Sequence, residues 1–218
     1  MKNIQVSIVG EQPGGAIQGL RVPPPFDHLV LLHGDSRSSR EAANEAKTVA
    51  GKMVPLDEIE CALVDPFSMN DVLSHVTIVR KQNPGATITV NLSGGTNIMA
   101  SAALLGCFII GADAFYIKFK KGEVEGPLED RLVRLSIPRV QLDDVKGSKL
   151  EILQVLVGHK DAALTQGEIA HRLNMSPQLV SIHVKRLAKW RLVTVSSEGR
   201  TNYLTLTDSG RLFAQISK

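Results

Sequence analysis

At 218 residues, with 43% hydrophobic residues and a mean hydropathy of +0.03, the chain has room for one large domain or two modest ones and enough apolar material for a core. Its longest apolar run, Met99 to Ala112, is interrupted by Ser101, Gly106 and Gly111 and is too short to span a bilayer. The alternating start, Met1 to Gly10, has no signal-peptide cleavage region, so a cytoplasmic protein with no membrane partner is expected. The net charge of +3 is unevenly divided: residues 1–147 carry 15 Lys and Arg against 17 Asp and Glu, net −2, and residues 148–218 carry 10 against 5, net +5. Positive charge suited to a polyanion is thus concentrated in the last third. Cys61 and Cys107 lie in apolar contexts and read as buried thiols, not as a disulfide framework or a zinc site.

In chain order, Asn3–Val9 reads as a strand, Glu11-Gln-Pro-Gly-Gly as a turn, and Pro23-Pro-Pro as an extended connector. His28–His33 is a second strand, apolar almost throughout, as expected where helices cover both faces of a sheet. Asp35 or Ser36 can cap a helix reaching about Lys52. A third strand, Glu60–Val64, precedes a helix capped by Ser68 or Asn70 and ending near Gln82. A fourth strand, Ala86–Leu92, leads through Ser93-Gly-Gly-Thr into the apolar helix Asn97–Gly111. Ala114–Phe119 is a fifth strand, Lys121-Gly122 a turn, and Arg131–Ser136 a sixth strand. Strands alternating with helical segments imply βαβ crossovers, and hence an α/β, Rossmann-like, doubly wound and mostly parallel sheet. The last hairpin is the place for an antiparallel pair. This domain spans 1–137, a polar linker 138–148, and a second domain 149–218.

Beyond the linker the apolar period becomes helical. Leu150, Ile152, Leu153, Leu156 and Val157 mark one amphipathic helix. Thr165-Gln-Gly-Glu168 is a capping box for the next, through Leu173. After the turn Asn174-Met, Ser176 caps a third helix with Pro177 at its first position, where the missing N–H costs nothing. Helix, tight turn and helix form a helix-turn-helix. On Pro177–Trp190, Val180, Val184 and Leu187 share one side, and Gln178, Ser181, Ile182, Lys185 and Lys189 project on the other. A helix in the major groove of double-stranded DNA needs such a face, with short polar groups for base edges and cations for phosphates. Leu192–Ser196 and Thr201–Leu206 alternate about Glu198-Gly199 as a hairpin flanked by Arg191 and Arg200, and Thr207-Asp-Ser-Gly starts a closing helix. The candidate DNA contacts are Ser176, Pro177, Gln178, Ser181, Ile182, Lys185, Lys189 and Arg200. The run SPQLVSIHVKRLAKWRL at 176–192, followed by YLTLTDSGR at 203–211, resembles winged-helix regulators of the MarR and ArsR type. That resemblance implies a wing and dimeric binding to a pseudo-palindromic operator.

In the first domain no GxxxxGK[ST] occurs, and Gly10-Glu-Gln-Pro-Gly-Gly is not GxGxxG, which argues against a triphosphatase and gives only weak support to a dinucleotide site. The informative stretch is Val90-Asn-Leu-Ser-Gly-Gly-Thr-Asn-Ile-Met-Ala, which joins a strand end to a helix start. Paired glycines admit close approach of a ligand, and Ser93, Thr96 and free helix N–H groups suit phosphate. With strand order 3-2-1-4-5-6, this loop and Gly10–Gly15 line one crevice at the switch point. A Rossmann-like domain with a strand-end [DN]-x-[ST]-G-G-T-[KN] loop, fused to a winged helix, resembles the CRISPR-associated Rossmann-fold (CARF) transcriptional regulators of archaea. The resemblance implies a homodimer binding a cyclic oligoadenylate, usually cyclic tetra-adenylate, as effector, with no further cofactor. By position Asn91, Ser93, Gly94, Gly95, Thr96 and Asn97 would contact it, with Gly10, Glu11 and Gln12 opposite. The helix Asn97–Ile110 would be partly buried between subunits. Asn97 stands where many relatives have Lys, which counts against ring cleavage, and the first loop lacks their aromatic and basic residues.

His33, Asp35, Asp65 and His75 lack close ligand spacing and read as caps and polar surface, and Trp190 reads as core behind the wing. No catalytic or metal residues are assigned. The expectation is a ligand-responsive regulator of CRISPR-Cas loci. The alternatives are a metal-independent ring nuclease, or a DNA-binding sensor of another nucleotide.

Overall fold

The computed structural model describes residues 2–118, 126–159, 163–199 and 201–216. It divides into two compact units, Met1–Leu135 and Ser136–Lys218. The first unit runs β1 (Asn3–Val9), α1 (Gly14–Gly19), β2 (His28–His33), α2 (Arg37–Ala50), β3 (Ile59–Leu63), α3 (Met69–Gln82), β4 (Thr87–Asn91), α4 (Asn97–Ile110), β5 (Asp113–Ile117), α5 (Leu128–Arg131) and β6 (Leu132–Leu135). Its sheet has the order β3-β2-β1-β4-β5-β6. Strands β1 to β5 pair in parallel, and β6 runs antiparallel to β5. The central strands are buried on both faces, as the run Leu29–Leu32 required.

Small residues let the helices close on the sheet. Ala42, Ala43, Ala46 and Ala50 of α2 pack with Val9, Leu29, Leu31 and Ile59. On α4 a Cβ added at Gly106 would sit 2.7 Å from Val76 of α3, so the two helices meet closely there. Ser36, not Asp35, caps α2 by accepting from the Ser39 N–H at 3.2 Å, and Asp35 instead pairs with Arg40. Ser68, not Asn70, caps α3. Gly111, at φ +67°, ends α4 in the left-handed conformation.

Two features differ from expectation. The stretch taken as a turn after β1 contains α1, and a short helix precedes β6. The end of the expected fifth strand, Phe119, and the Lys121-Gly122 turn lie outside the described residues. Among the described residues no helix is long and apolar enough to cross a membrane.

The second unit contains α6 (Ser148–Val157), β7 (Leu164–Thr165), α7 (Gln166–Arg172), α8 (Pro177–Lys189), β8 (Val193–Glu198), β9 (Thr201–Leu206) and α9 (Asp208–Ile216). Its core gathers Ile152, Leu153 and Leu156 of α6, Ile169 of α7, Val180, Val184 and Leu187 of α8, Leu204 of β9 and Phe213 of α9. The segment 138–148 is not the polar linker expected of it. Val140 and Val145 are buried in this same core on either side of a 3-10 turn at Leu142–Asp144. Two valines in a polar stretch make no periodic pattern, so only packing reveals them. The two-residue strand β7 was also not anticipated. It pairs antiparallel with β9, which makes the wing the outer part of a three-stranded sheet ordered β7-β9-β8.

Candidate functional site

In the first unit, the strand order reverses between β1 and β4, which lie side by side in register Asn3↔Thr87 to Ser7↔Asn91. The loops that leave their carboxyl ends therefore emerge together, the usual ligand position in an open α/β sheet. Their contact is backbone to backbone. A Cβ at Gly10 would stand 2.8 Å from the Gly95 nitrogen, and one at Gly15 would stand 2.6 Å from the Ser93 carbonyl oxygen. At Gly94 a Cβ would run into the Ile8 carbonyl. Gly95 adopts φ +71°, where an L side chain is strained. Between the loops opens a cleft of about 310 Å3 lined by Gly10, Glu11, Gln12, Gly14, Gly15 and Ser93–Gly95.

The structure redistributes the roles expected on the second loop. Asn91 is completely buried. Its Nδ2 donates to the Gly15 carbonyl at 3.0 Å, and its Oδ1 accepts from the Ser93 N–H at 3.0 Å and the Ser93 hydroxyl at 2.5 Å. Asn91, expected as a ligand contact, therefore ties the two loops together, with its side-chain amide buried and engaged within the protein. The Ser93 hydroxyl also accepts from the Ile117 N–H at 2.8 Å, which anchors the loop to β5. Thr96 caps α4 by accepting from the Met99 N–H at 3.1 Å, and its hydroxyl donates to the Pro66 carbonyl at 2.6 Å. Both hydroxyls are engaged within the protein. What is left at this end is the Gly94-Gly95 backbone, the exposed Asn97, and the Asn97 and Ile98 N–H groups, which have no intrahelical acceptor. Glu11 and Gln12 are exposed on the opposite side.

A second cavity, of about 230 Å3, shares Gly10, Glu11 and Gly95 with the first and extends over the ends of β2 and β3. Gly34, Ser36, Pro66, Phe67 and Met99 contribute to its lining. The Phe67 side chain there is 71% exposed. None of these was picked out from the sequence. The usable signal was their position just after β2 and β3, since the switch-point rule selects every strand end beside the crevice. Among the described residues no group of His, Cys, Asp and Glu is arranged to hold a metal ion. His33 bonds to the Gly34 carbonyl, and His75 lies within 3.4 Å of Asp71.

In the second unit, the Thr165 hydroxyl accepts from the Glu168 N–H at 3.2 Å, and the Glu168 carboxylate accepts from the Thr165 N–H at 2.8 Å. The Thr165 hydroxyl also donates to the Glu168 carboxylate at 2.8 Å, and the two bonds that the carboxylate accepts hold it below its ordinary pKa, the Thr165 backbone N–H being the chief cause and the hydroxyl the next. The turn before α8 passes through Asn174 at φ +50°, a conformation that Asn tolerates better than most residues. Ser176 caps α8 by accepting from the Leu179 N–H at 3.3 Å, with Pro177 in the first turn. With Val180, Val184 and Leu187 buried, Gln178, Ile182, Lys185 and Lys189 lie in one line on the opposite, exposed side, and Ser181 flanks them half-buried. Trp190 is partly buried against the core, with the Lys149 and Arg186 cations 5.7 and 5.6 Å from its ring centroid. Arg200 lies outside the described residues, beside the Gly199 turn at φ +61°.

Residues 143–200 match the MarR family. None of the curated proteins matches the chain. Among solved structures, MepR, a transcription regulator of the Staphylococcus aureus multidrug efflux pump MepA, is 25% identical over 34% of this chain and 56% of its own, with a TM-score of 0.32. The chain thus spans little more than half the length of that relative. Csm6 of Enterococcus italicus, solved bound to cyclic hexa-2′-fluoro-hexa-dAMP, is 12% identical over 88% of this chain and 55% of its own, with a TM-score of 0.50. That is a likeness of fold. Can2 from Sulfobacillus thermosulfidooxidans, solved in complex with cyclic tetra-adenylate, is 15% identical over 97% of this chain and 61% of its own, with a TM-score of 0.46. Residues 143–200 are therefore a MarR-family winged helix-turn-helix, preceded in the chain by a Rossmann-like unit, and the chain as a whole is like Csm6 in fold.

Proposed function

We propose that this protein is a ligand-responsive transcriptional regulator of CRISPR-Cas loci. A cyclic oligoadenylate, cyclic tetra-adenylate in the first instance, binds the crevice of a homodimer and changes the affinity of the winged helices for operator DNA. One observation carries the reading. A glycine-lined cleft at the β1/β4 switch point and a MarR-family winged helix with a cationic outer face occur in one chain. Phosphates of the ring suit the Gly94-Gly95 backbone and the α4 N-terminus, where free N–H groups and the helix dipole favour negative charge. Asn97 is the exposed side chain at that end, and the apolar cavity beside Phe67 offers room for a base.

The exposed apolar face of α4 supports the same reading. Ile98, Leu104, Leu105, Phe108 and Ile109 are all more than one-third exposed along one side of this helix, and α4 starts at the crevice loop. A continuous apolar face of this kind suits burial against another subunit. A second copy packed there brings two crevices to one axis, as a ring with rotational symmetry requires.

The test is a gel-shift series on DNA from the protein's own genomic neighbourhood, with and without cyclic tetra-adenylate. Binding that changes at least several-fold with the ring is expected. Absence of DNA binding under every condition would sink the proposal. A binding screen across linear and cyclic nucleotides separates the oligoadenylate from other effectors.

A further inference from the structure

The outermost line of α8 holds an apolar residue where a solvated helix would hold a polar one. Ile182 sits directly opposite the buried Val180, Val184 and Leu187 and is 63% exposed. It follows Gln178 by one turn and precedes Lys185 and Lys189 on the same side. An exposed β-branched side chain helps neither helix propensity nor solvation. Its neighbours indicate what covers it: an amide suited to base edges on the N-terminal side and two ammonium groups suited to phosphates on the C-terminal side. An apolar protein surface would leave those cations unpaired, whereas a nucleic-acid groove matches all of them. In the major groove the apolar element of the code is the thymine C5-methyl group.

We propose that Ile182 is a specificity-determining residue that reads a thymine methyl group in each half-site. Gln178, one turn toward the helix N-terminus, then faces the neighbouring base pair, where its amide matches the N6 and N7 edge of adenine. The inference rests on α8 being a DNA recognition helix. It goes beyond that by naming the base contacted and the chemical group read.

The test uses the full-length protein. Duplexes are selected from a randomised pool, and the winning site is then resynthesised with each dT replaced singly by dU, which removes only the methyl group. At least one replacement per half-site is expected to weaken binding about fourfold, the worth of burying one methyl group. In Ile182→Ala the dT and dU duplexes are expected to bind alike. Ile182→Val is expected to keep part of the difference, and the salt dependence of all three proteins is expected to match because no cation is lost. Equal binding of dT and dU duplexes by the unmodified protein overturns the proposal, as does a difference that persists undiminished in Ile182→Ala. So does an Ile182→Ala protein that changes only in oligomeric state, which would assign the residue to a protein contact. Failure to select any duplex overturns the DNA-binding reading itself, and it is told apart because it precedes every base replacement.

Discussion

Asn91 shows how one buried side chain can hold two loops of a candidate site together. Its amide spans β4, the start of α1 and the Ser93 turn, so removing it strands the Gly15 carbonyl and two Ser93 donors in a buried position. Leaving buried polar groups without partners costs about 1–3 kcal/mol each. Asn91→Ala is therefore expected to destabilise the protein by about 3 kcal/mol, read as a shift of the urea transition followed by far-UV circular dichroism. An unchanged midpoint would show that the loops do not depend on this amide. In the sequence, an Asn at a strand end before Ser-Gly-Gly-Thr reads equally well as a ligand contact. Its side chain turns inward because α1 covers it, with Gly19 so close that a Cβ there would meet the Asn91 amide. That helix is not legible in a stretch with three glycines among its six residues, since glycine is a poor helix former. Contacts with β4 and its loop hold α1 in place against that propensity.

At the scale of the element, helix capping was the most legible feature, because it is local. Thr165 and Glu168 form the capping box that their spacing predicts. Thr165→Ala is expected to cost about 1 kcal/mol, measured through the fluorescence of Trp190, the chain's one tryptophan. The same box gives a pH dependence with a definite sign. The folded Glu168 carboxyl titrates below its ordinary value of 4.5, so its contribution is fully present above pH 4.5 and is lost as the pH falls through the folded value. Glu168→Gln is expected to flatten that part of the stability profile. A profile identical to that of the unmodified protein would show that the carboxylate bonds add nothing. On α8 the cations belong to the same scale. Lys185→Ala is expected to weaken DNA binding and to reduce the slope of log K against log salt by about 0.9, the share of one phosphate contact. An unchanged slope would place Lys185 away from the backbone. In the second unit one element and two core positions escaped the sequence for a physical reason: β7 is only two residues long, and Val140 and Val145 have no periodicity around them.

At the scale of the molecule, the proposed switch needs a dimer, and the exposed apolar face of α4 is the surface proposed for it. Phe108→Glu places a charge in the middle of the exposed apolar face and is expected to yield monomers by sedimentation, with loss of oligoadenylate binding in parallel. A dimer that survives the substitution would assign the subunit contact elsewhere. The sequence by itself determined the alternation of strands and helices, the capped helix-turn-helix with its wing, the split of charge between the two parts, and the meeting of the Gly10–Gly15 and 91–97 loops at the switch point. All of these follow from local chemistry: side-chain period, turn residues and helix caps. Tertiary structure decided which of those loop residues face outward, that Val140 and Val145 join the second unit's core, that a second cavity beside Phe67 opens over β2 and β3, and that Ile182 is left exposed on the line opposite that core. These depend on which residues, distant in the chain, come to lie against one another. Burial and hydrogen-bond partners are properties of that packing, and no local pattern encodes them.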